Sequence, residues 1–488
     1  MKCAIRHSLP VLLLVLSSSQ LTGQEGPMLI APAENQEPKP VQGPQTFQLV
    51  VQPAAEPQPP LKYWLLPRLL DRRPGNAAVV YGRALAEKEI DLPNNVHEYY
   101  SLGVPLRDLQ PEKLEKTLSQ LEEVAAEHQF VLEYIHLAAH REQCDWELPL
   151  RDRNLMNWRF SILQKMRNVA RLLALQARLQ ITRGDFEEAI ETLKTGYAVA
   201  AHVGKGNTLI HGLVGISICD MMSAQVRELV QQPDAPNLYW ALAWLPQPFV
   251  DLRPALDFES QWLESSVPEL RDLESSHPDW YWQRLLDKFC EQVWPALGSE
   301  PEIGWRGVSA FMAVRGYPAA KRALVQRGRS PEEVDAMPVP QVLAIEAMRL
   351  YTETRDDMFK WFAQPYWQAH EKLQEAERHL HRIEANEVFP LVRAMLPHLT
   401  RCRFTVAKNS RTIAMLQTVE ALRLHAANHG QLPKRLKDVT AVPIPIDPTT
   451  GSAFRYHQPS DDTAILESPA PPDYNPTDGL RFEIKLTR

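Results

Sequence analysis

The stretch MNWRFSILQKMRNVARLLALQARLQITRGDFEEAIETLKTGYAVAAHV, residues 156–203, decides the fold. In it Met156, Phe160, Leu163, Met166, Ala170, Leu173 and Ala177 step by three or four. That spacing lines one face of a helix. Gly184 ends the helix, because glycine enters a left-handed turn without a Cβ clash. Asp185 predicts an N-cap for the next helix, and Glu188 sits where a capping-box acid reaches back. Phe186, Ile190, Leu193, Tyr197 and Ala200 form that helix's buried face. A third helix opens at Asn207, with Leu209, Leu213, Ile216 and Val226 apolar. Gly212 and Gly215 within it allow a close helix contact.

Working outward, the same period recurs. Leu114, Leu118, Leu121, Val124, Leu132 and Ile135 keep one face of a helix preceded by Pro111. Ser330-Pro331-Glu332-Glu333 reads as a helix start, with cap, first-turn proline and acid in place. Helices follow at about 341–362 and 366–385. Prolines 233, 236, 246, 248 and 254 interrupt the pattern, so helices between 233 and 305 are short or proline-initiated. A helix over 406–429 ends at Gly430, with Pro433 beyond it. Residues 453–457, 463–466 and 480–487 then read as three strands of a small antiparallel sheet.

The N-terminus is of another kind. Lys2 and Arg6 precede an apolar run, Leu9–Leu16, and a small polar stretch to Gly23. This is the layout of a secretory signal peptide, and its apolar core is about half the ~20 residues a bilayer requires. Cleavage after Ser19 or Gly23 fits, and Gln24 stands where a lipoprotein needs cysteine. No other stretch reads as a membrane span. Residues 24–61 are rich in Pro, Gln, Glu and Ala, and read as a disordered spacer. The expected organisation is a signal at 1–23, the spacer at 24–61, a helical body at 62–405 and a small α+β domain at 406–488.

Apolar residues make up 44 % and charged residues 23 % of 488, as in a globular protein. Removing residues 1–23 takes Lys2 and Arg6 and no acid from a formal net charge of −7, leaving −9. So acidic a chain, with no long basic run, does not suit nucleic acid. Cys144, Cys219, Cys290 and Cys402 lie far apart, so no CxxC signature exists. Export permits disulfides in any of three pairings, yet the plainer reading is four small buried hydrophobes.

No catalytic motif appears. His97-Glu98 and His370-Glu371 lack the second histidine of HExxH. Gly215-Ile216-Ser217 falls inside a helix, not on a nucleophile elbow. Gly204-Lys205-Gly206-Asn207-Thr208 has the wrong spacing for a phosphate loop and reads as an inter-helix turn. His136 and His140, with His128 two turns earlier, have chelating spacing. Without a carboxylate or cysteine partner they read as a polar helix face. Cys144-Asp145-Trp146 reads as a helix end packing its tryptophan. Trp280-Tyr281-Trp282, with Phe289 and Trp294, reads as core rather than a binding platform. No catalytic, cofactor or metal residue is assigned, and no cofactor is expected.

Three resemblances attach to these residues. The Ala170–Val203 pair resembles a tetratricopeptide repeat in Gly184-Asp185, Ala189, Leu193 and Gly196. It departs at Gln180, where the repeat has an aromatic, and no ~34-residue period recurs. The segment Leu422–Pro433, then Ile446-Asp447-Pro448, Gly451 and Phe454-Arg455-Tyr456, resembles the globular part of type II secretion pseudopilins. The preceding Lys408-Asn409-Ser410-Arg411 is too polar for a pilin's membrane helix, so this resemblance implies a shared small fold alone. The whole chain is similar to exported planctomycete-type helical proteins, through Pro74–Ala78, Cys144–Trp146, Ala170–Leu175, Pro236–Trp240 and Arg327–Pro331. That group has no activity to carry over.

The fold expected is mainly α, a degenerate tetratricopeptide-like array with a small α+β C-terminal domain. The function expected is a non-enzymatic scaffold binding a protein or peptide partner in the periplasm or cell envelope. The alternatives are an envelope hydrolase with a site assembled from distant residues, and a structural component of an envelope or secretion assembly.

Overall fold

In the computed structural model the chain is mainly α, with a small strand-containing part at its C-terminus. The structure describes residues 43–87, 90, 111–148, 161–293, 304–385, 399–472 and 474–487. The signal segment lies outside them, as do residues 24–42, His97-Glu98, Met156, Phe160 and Trp294. In chain order come β1 (Gln45–Val51), β2 (Arg73–Asn76), α1 (Ala77–Glu87), α2 (Pro111–Glu127), α3 (Gln129–Ala139) and β3 (Arg141–Gln143). Then follow α4 (Ser161–Arg183), α5 (Phe186–Gly204), α6 (Leu209–Leu229), α7 (Tyr239–Ala243), α8 (Arg253–Ser266), α9 (Asp279–Val293) and α10 (Gly304–Gln326). The chain closes with α11 (Pro331–Asp335), α12 (Val339–Phe359), α13 (Tyr366–Ala385), α14 (Leu399–His429), β4 (Arg455–Ser460), β5 (Thr463–Ser468) and β6 (Leu480–Leu486).

Helices α4, α5 and α6 pack on one another, as the apolar spacing requires. Leu173 and Leu193 are both buried in the main core. Gly184 sits at φ +84°, the left-handed end of α4. Asp185 makes no side-chain cap, contrary to expectation. Backbone bonds close the turn instead: Asp185 N donates to Gln180 O at 2.9 Å and Phe186 N to Gly184 O at 2.9 Å. At Gly215 a Cβ would lie 2.6 Å from Gly204 Cα, so the backbones of α5 and α6 touch where only glycine fits. The 204–208 segment is the turn between them, and Thr208 caps α6 by accepting from His211 N at 3.4 Å.

Several boundaries differ from the periodic reading. The helix expected across 114–135 is broken at His128 (φ −108°, ψ 14°), which separates α2 from α3. The capping box at Ser330 forms in both directions, Ser330 N to Glu333 Oε2 at 3.0 Å and Glu333 N to Ser330 Oγ at 3.1 Å. Helix α6 is long and apolar enough to cross a membrane. This corrects the expectation that nothing beyond the signal reaches that length and apolarity. In this fold α6 is a core helix, mostly buried against α4, α5 and α14.

The largest correction concerns the spacer. Residues 45–51 are a strand, not a disordered linker. Phe47, Leu49 and Val51 alternate with Gln48 and Val50, and Leu49 and Val51 are buried. This strand pairs in parallel with the last one, Gln45 opposite Leu480 through Val51 opposite Leu486. The C-terminal sheet therefore has four strands, in the order β1-β6-β5-β4. The guanidinium of Arg227 lies 3.7 Å from the Phe47 ring centre, tying β1 to α6.

Helix α14 starts seven residues before its expected start, at Leu399, and is buried along most of its length. Near its end Arg423 and Glu420 pair at 2.8 Å, with side chains 1 % and 0 % exposed. Arg423 also donates to Gln52 O at 3.0 Å and Ala235 O at 2.7 Å, while Glu420 accepts from Leu238 N at 3.0 Å. A buried ion pair persists only when its remaining hydrogen-bonding capacity is met, and here backbone from two distant segments, at residue 52 and at 235–238, meets it. One apolar cluster runs from Leu49 through the α4–α6 helices to Leu486. The boundary expected at residue 406 is thus not a boundary of the core. A second cluster joins residues 263–351 of α8–α12.

Candidate binding groove

A broad recess lies between α2, α3, α4 and α5. Its volume is about 880 Å³. The four helices make it because the α4–α5 hairpin packs α2 against α4 and α3 against α5. The break at His128 turns the chain so that α2 and α3 supply adjacent walls. Leu132 and Leu173 form a floor, both buried, with Ala125, Ala126 and Leu137 beside them. Gln129, Gln176, Gln180, Thr192 and Thr195 add amides and hydroxyls, and Glu133, Glu187, Glu188 and Glu191 add carboxylates. No Lys or Arg is among the lining residues.

The polar groups are partly engaged. Thr192 donates to Gln180 Oε1 at 2.7 Å, Gln129 Nε2 to Glu133 Oε1 at 3.1 Å, and Thr195 Oγ1 to Glu191 O at 3.0 Å. From the rim Lys62 Nζ reaches Glu187 Oε1 at 2.6 Å, and this bond holds the Glu187 carboxyl below its usual range. Lys194 pairs with Glu191. Glu188 stays exposed in the first turn of α5. The arrangement can take up an apolar side chain, hydrogen-bond a peptide backbone through its amides, and pair with cations at its edge.

Of the histidines singled out by spacing, one lies in the groove. His136 lines the groove, and its Nδ1 lies 3.0 Å from Thr195 Oγ1. Burial, then the neighbouring His140, holds His136 below its usual pKa. His140 Nδ1 faces His136 O at 2.9 Å, and His128 Nδ1 faces Val124 O at 2.9 Å. Among the described residues no group of three or more His, Cys, Asp and Glu could hold a metal ion.

Of the other candidates, Trp146 and Trp282 pack into the core, whereas Trp280 departs from the core reading. Trp146 stacks on Tyr81 with ring centres 5.9 Å apart and donates to His202 O at 2.9 Å. Beside it burial pushes the Cys144 thiol up to about 12, which disfavours the nucleophilic thiolate. Cys144, Cys219 and Cys402 are free thiols, and the last two are buried. Trp282 is buried, whereas Trp280 is exposed and Tyr281 stacks on His277 at 4.0 Å. His370 bonds Tyr366 at 2.9 Å.

A second ionisable cluster escaped the sequence reading. Asp220 of α6 keeps one side open to solvent, but protein packs densely around it and lifts its carboxyl to about 6. Asn409 Nδ2 donates to it at 2.7 Å. Lys408 bonds Asp478 at 2.9 Å, and Arg411 donates to Asp478 O at 2.9 Å. The signal available was Lys408-Asn409-Ser410-Arg411, a polar run inside an otherwise apolar helix. Compared with known proteins, the chain matches no family model, no curated protein and no solved structure.

Proposed function

We propose that this chain is an exported, non-enzymatic scaffold of the cell envelope that binds a protein or peptide segment in the groove of α2–α5. The groove carries this reading, because an apolar floor ringed by amides and carboxylates suits an extended chain better than a reacting centre. The stacking of α4 and α5 with α2 and α3 supports it, since stacked helix pairs create concave binding faces. The chemistry that fits is a segment with apolar side chains and Lys or Arg beside them, because the lining is acidic. The test is fluorescence anisotropy on the full chain, with a labelled peptide that interleaves Leu with Lys. A control peptide carries Glu in place of Lys. The basic peptide should bind. Glu188→Arg combined with Gln176→Arg should weaken it by about tenfold or more, through like-charge repulsion. Equal binding of the acidic peptide, or unchanged affinity in the double variant, contradicts the reading.

The hydrolase alternative draws on Asp220, a solvent-facing carboxyl raised toward the range of a general base. Among the described residues the side chain bonded to it is the amide of Asn409, not a nucleophile. The groove is therefore the preferred site.

A further inference from the structure

Two consecutive leucines stand in solvent on a turn built to hold them there. Leu69 is 74 % and Leu70 95 % exposed, on the single 3-10 turn Leu69–Asp71. Large apolar side chains normally leave water, and an exposed pair with charged neighbours marks a contact surface. The turn is fixed from both sides. Leu65 and Pro67 are buried before it, and β2 begins directly after it, with Arg73 N donating to His140 O at 2.7 Å. Asp71 closes the turn locally, accepting from Arg68 N at 3.1 Å. The leucines are thus presented in a fixed shape, and little order has to be lost when they bind.

The flanking chemistry selects the partner. Arg68, Arg72 and Arg73 are all exposed, three cations within six residues of a chain whose net charge is −7. Behind them Trp64 and Trp244 lie with ring centres 5.0 Å apart, and the Arg68 guanidinium sits 5.2 Å from the Trp64 ring. Trp244 is itself 58 % exposed. The apolar pair, the three cations and the aromatic pair therefore lie on one stretch of surface. A protein partner would need a pocket complementary to this convex tip. An anionic bilayer supplies what each group needs: an acyl boundary for the leucines, phosphates for the arginines and an interfacial zone for the tryptophans. We propose that the Leu69–Asp71 turn is a membrane-surface contact, in which Leu69 and Leu70 enter an anionic bilayer and Arg68, Arg72 and Arg73 bind its phosphates. The contact is peripheral, since two leucines and three cations give reversible binding and not insertion. It is independent of the peptide groove, which lies on other residues.

The experiment is vesicle co-sedimentation of the chain purified from its host, on phosphatidylcholine vesicles and on vesicles enriched in phosphatidylglycerol. The expected result is binding to the anionic vesicles that weakens as salt rises. Leu69→Ser with Leu70→Ser should cut it by roughly tenfold or more, as should Arg72→Gln with Arg73→Gln. Both pairs are exposed, so a melting curve matching the parent shows that the fold is kept. Equal binding to both vesicle types, or undiminished binding by the leucine pair in a folded chain, overturns the proposal. A concentration-dependent rise in mass that the leucine pair abolishes, with no vesicle binding, also overturns it and gives the turn to a protein partner.

Discussion

The α4–α5 hairpin and the layer made by α14 with its sheet both bury apolar faces, but they are held together differently. In the hairpin the contacts are between sequence neighbours, and Leu173, Leu193 and Tyr197 are buried in one core on either side of a turn of a few residues. In the C-terminal layer the decisive contacts span most of the chain. Strand β1 pairs with β6, and Arg423 bonds Gln52 and Ala235. The hairpin is stabilised mainly by apolar packing, with local hydrogen bonds such as Thr192 to Gln180. The layer is stabilised by packing and by one buried ion pair that needs three segments in place together. Where contacts are local, a segment can form by itself. Where they are long-range, closing the loop costs entropy that only the assembled fold repays.

Breaking each region should expose that difference. Arg423→Met leaves Glu420 buried without its counter-charge, which typically costs about 3–5 kcal/mol. Adding Glu420→Met should return most of that loss, because two apolar groups of similar size suit the site. Leu173→Ala should cost about 3 kcal/mol by leaving a cavity in the hairpin. Chemical denaturation checks all three. A Glu420→Met/Arg423→Met variant no more stable than Arg423→Met would show that the backbone bonds, not the charges, hold the layer.

A smaller effect concerns α6, the helix that packs against both regions. Glu259 accepts from Leu209 N at 3.4 Å at the start of α6, and burial raises its carboxyl to about 7. The folded chain then holds a proton that the unfolded chain releases. Its stabilising share is complete below the ordinary carboxyl value of 4.5 and is lost as pH rises through about 7. His202 and His211, lowered to about 4 by burial, act in the opposite sense. Their share is complete above 6.5 and is lost as pH falls through about 4. Glu259→Gln keeps the acceptor and removes the titration. It should gain on the parent by on the order of 1 kcal/mol between pH 5 and pH 8, after solvent screening. A pH-independent difference in melting midpoint would contradict the assignment.

The same contrast explains what could be read in the sequence. The hairpin was legible because an apolar step of three or four residues, ended by Gly184, is complete within one window. The Ser330 capping box and the three C-terminal strands were legible for the same reason. Strand β1 was not, although Phe47, Leu49 and Val51 alternate plainly. Its partner lies 435 positions away, Gln48 to Glu483, and the surrounding Pro and Gln favour a spacer by composition. The helix break at His128 carries no Gly or Pro to announce it. The groove depends on that break, so its concave shape was expected but its residues were not. Asp185 failed as a cap because backbone bonds around Gly184 already close the turn.

The pairing of β1 with β6 is the claim that joins residues 45–51 to the main apolar cluster, and a cross-link tests it directly. Gln48 and Glu483 lie opposite each other in the parallel register, and their side chains are hydrogen-bonded at the surface. With Gln48→Cys and Glu483→Cys in the full chain, mild oxidation should give an intramolecular disulfide between 48 and 483, identified by mass spectrometry of the joined peptides. The link should also raise the unfolding midpoint, because it closes a very long loop. A chain that unfolds cooperatively but forms no 48–483 link would contradict the account and return residues 45–51 to a free spacer.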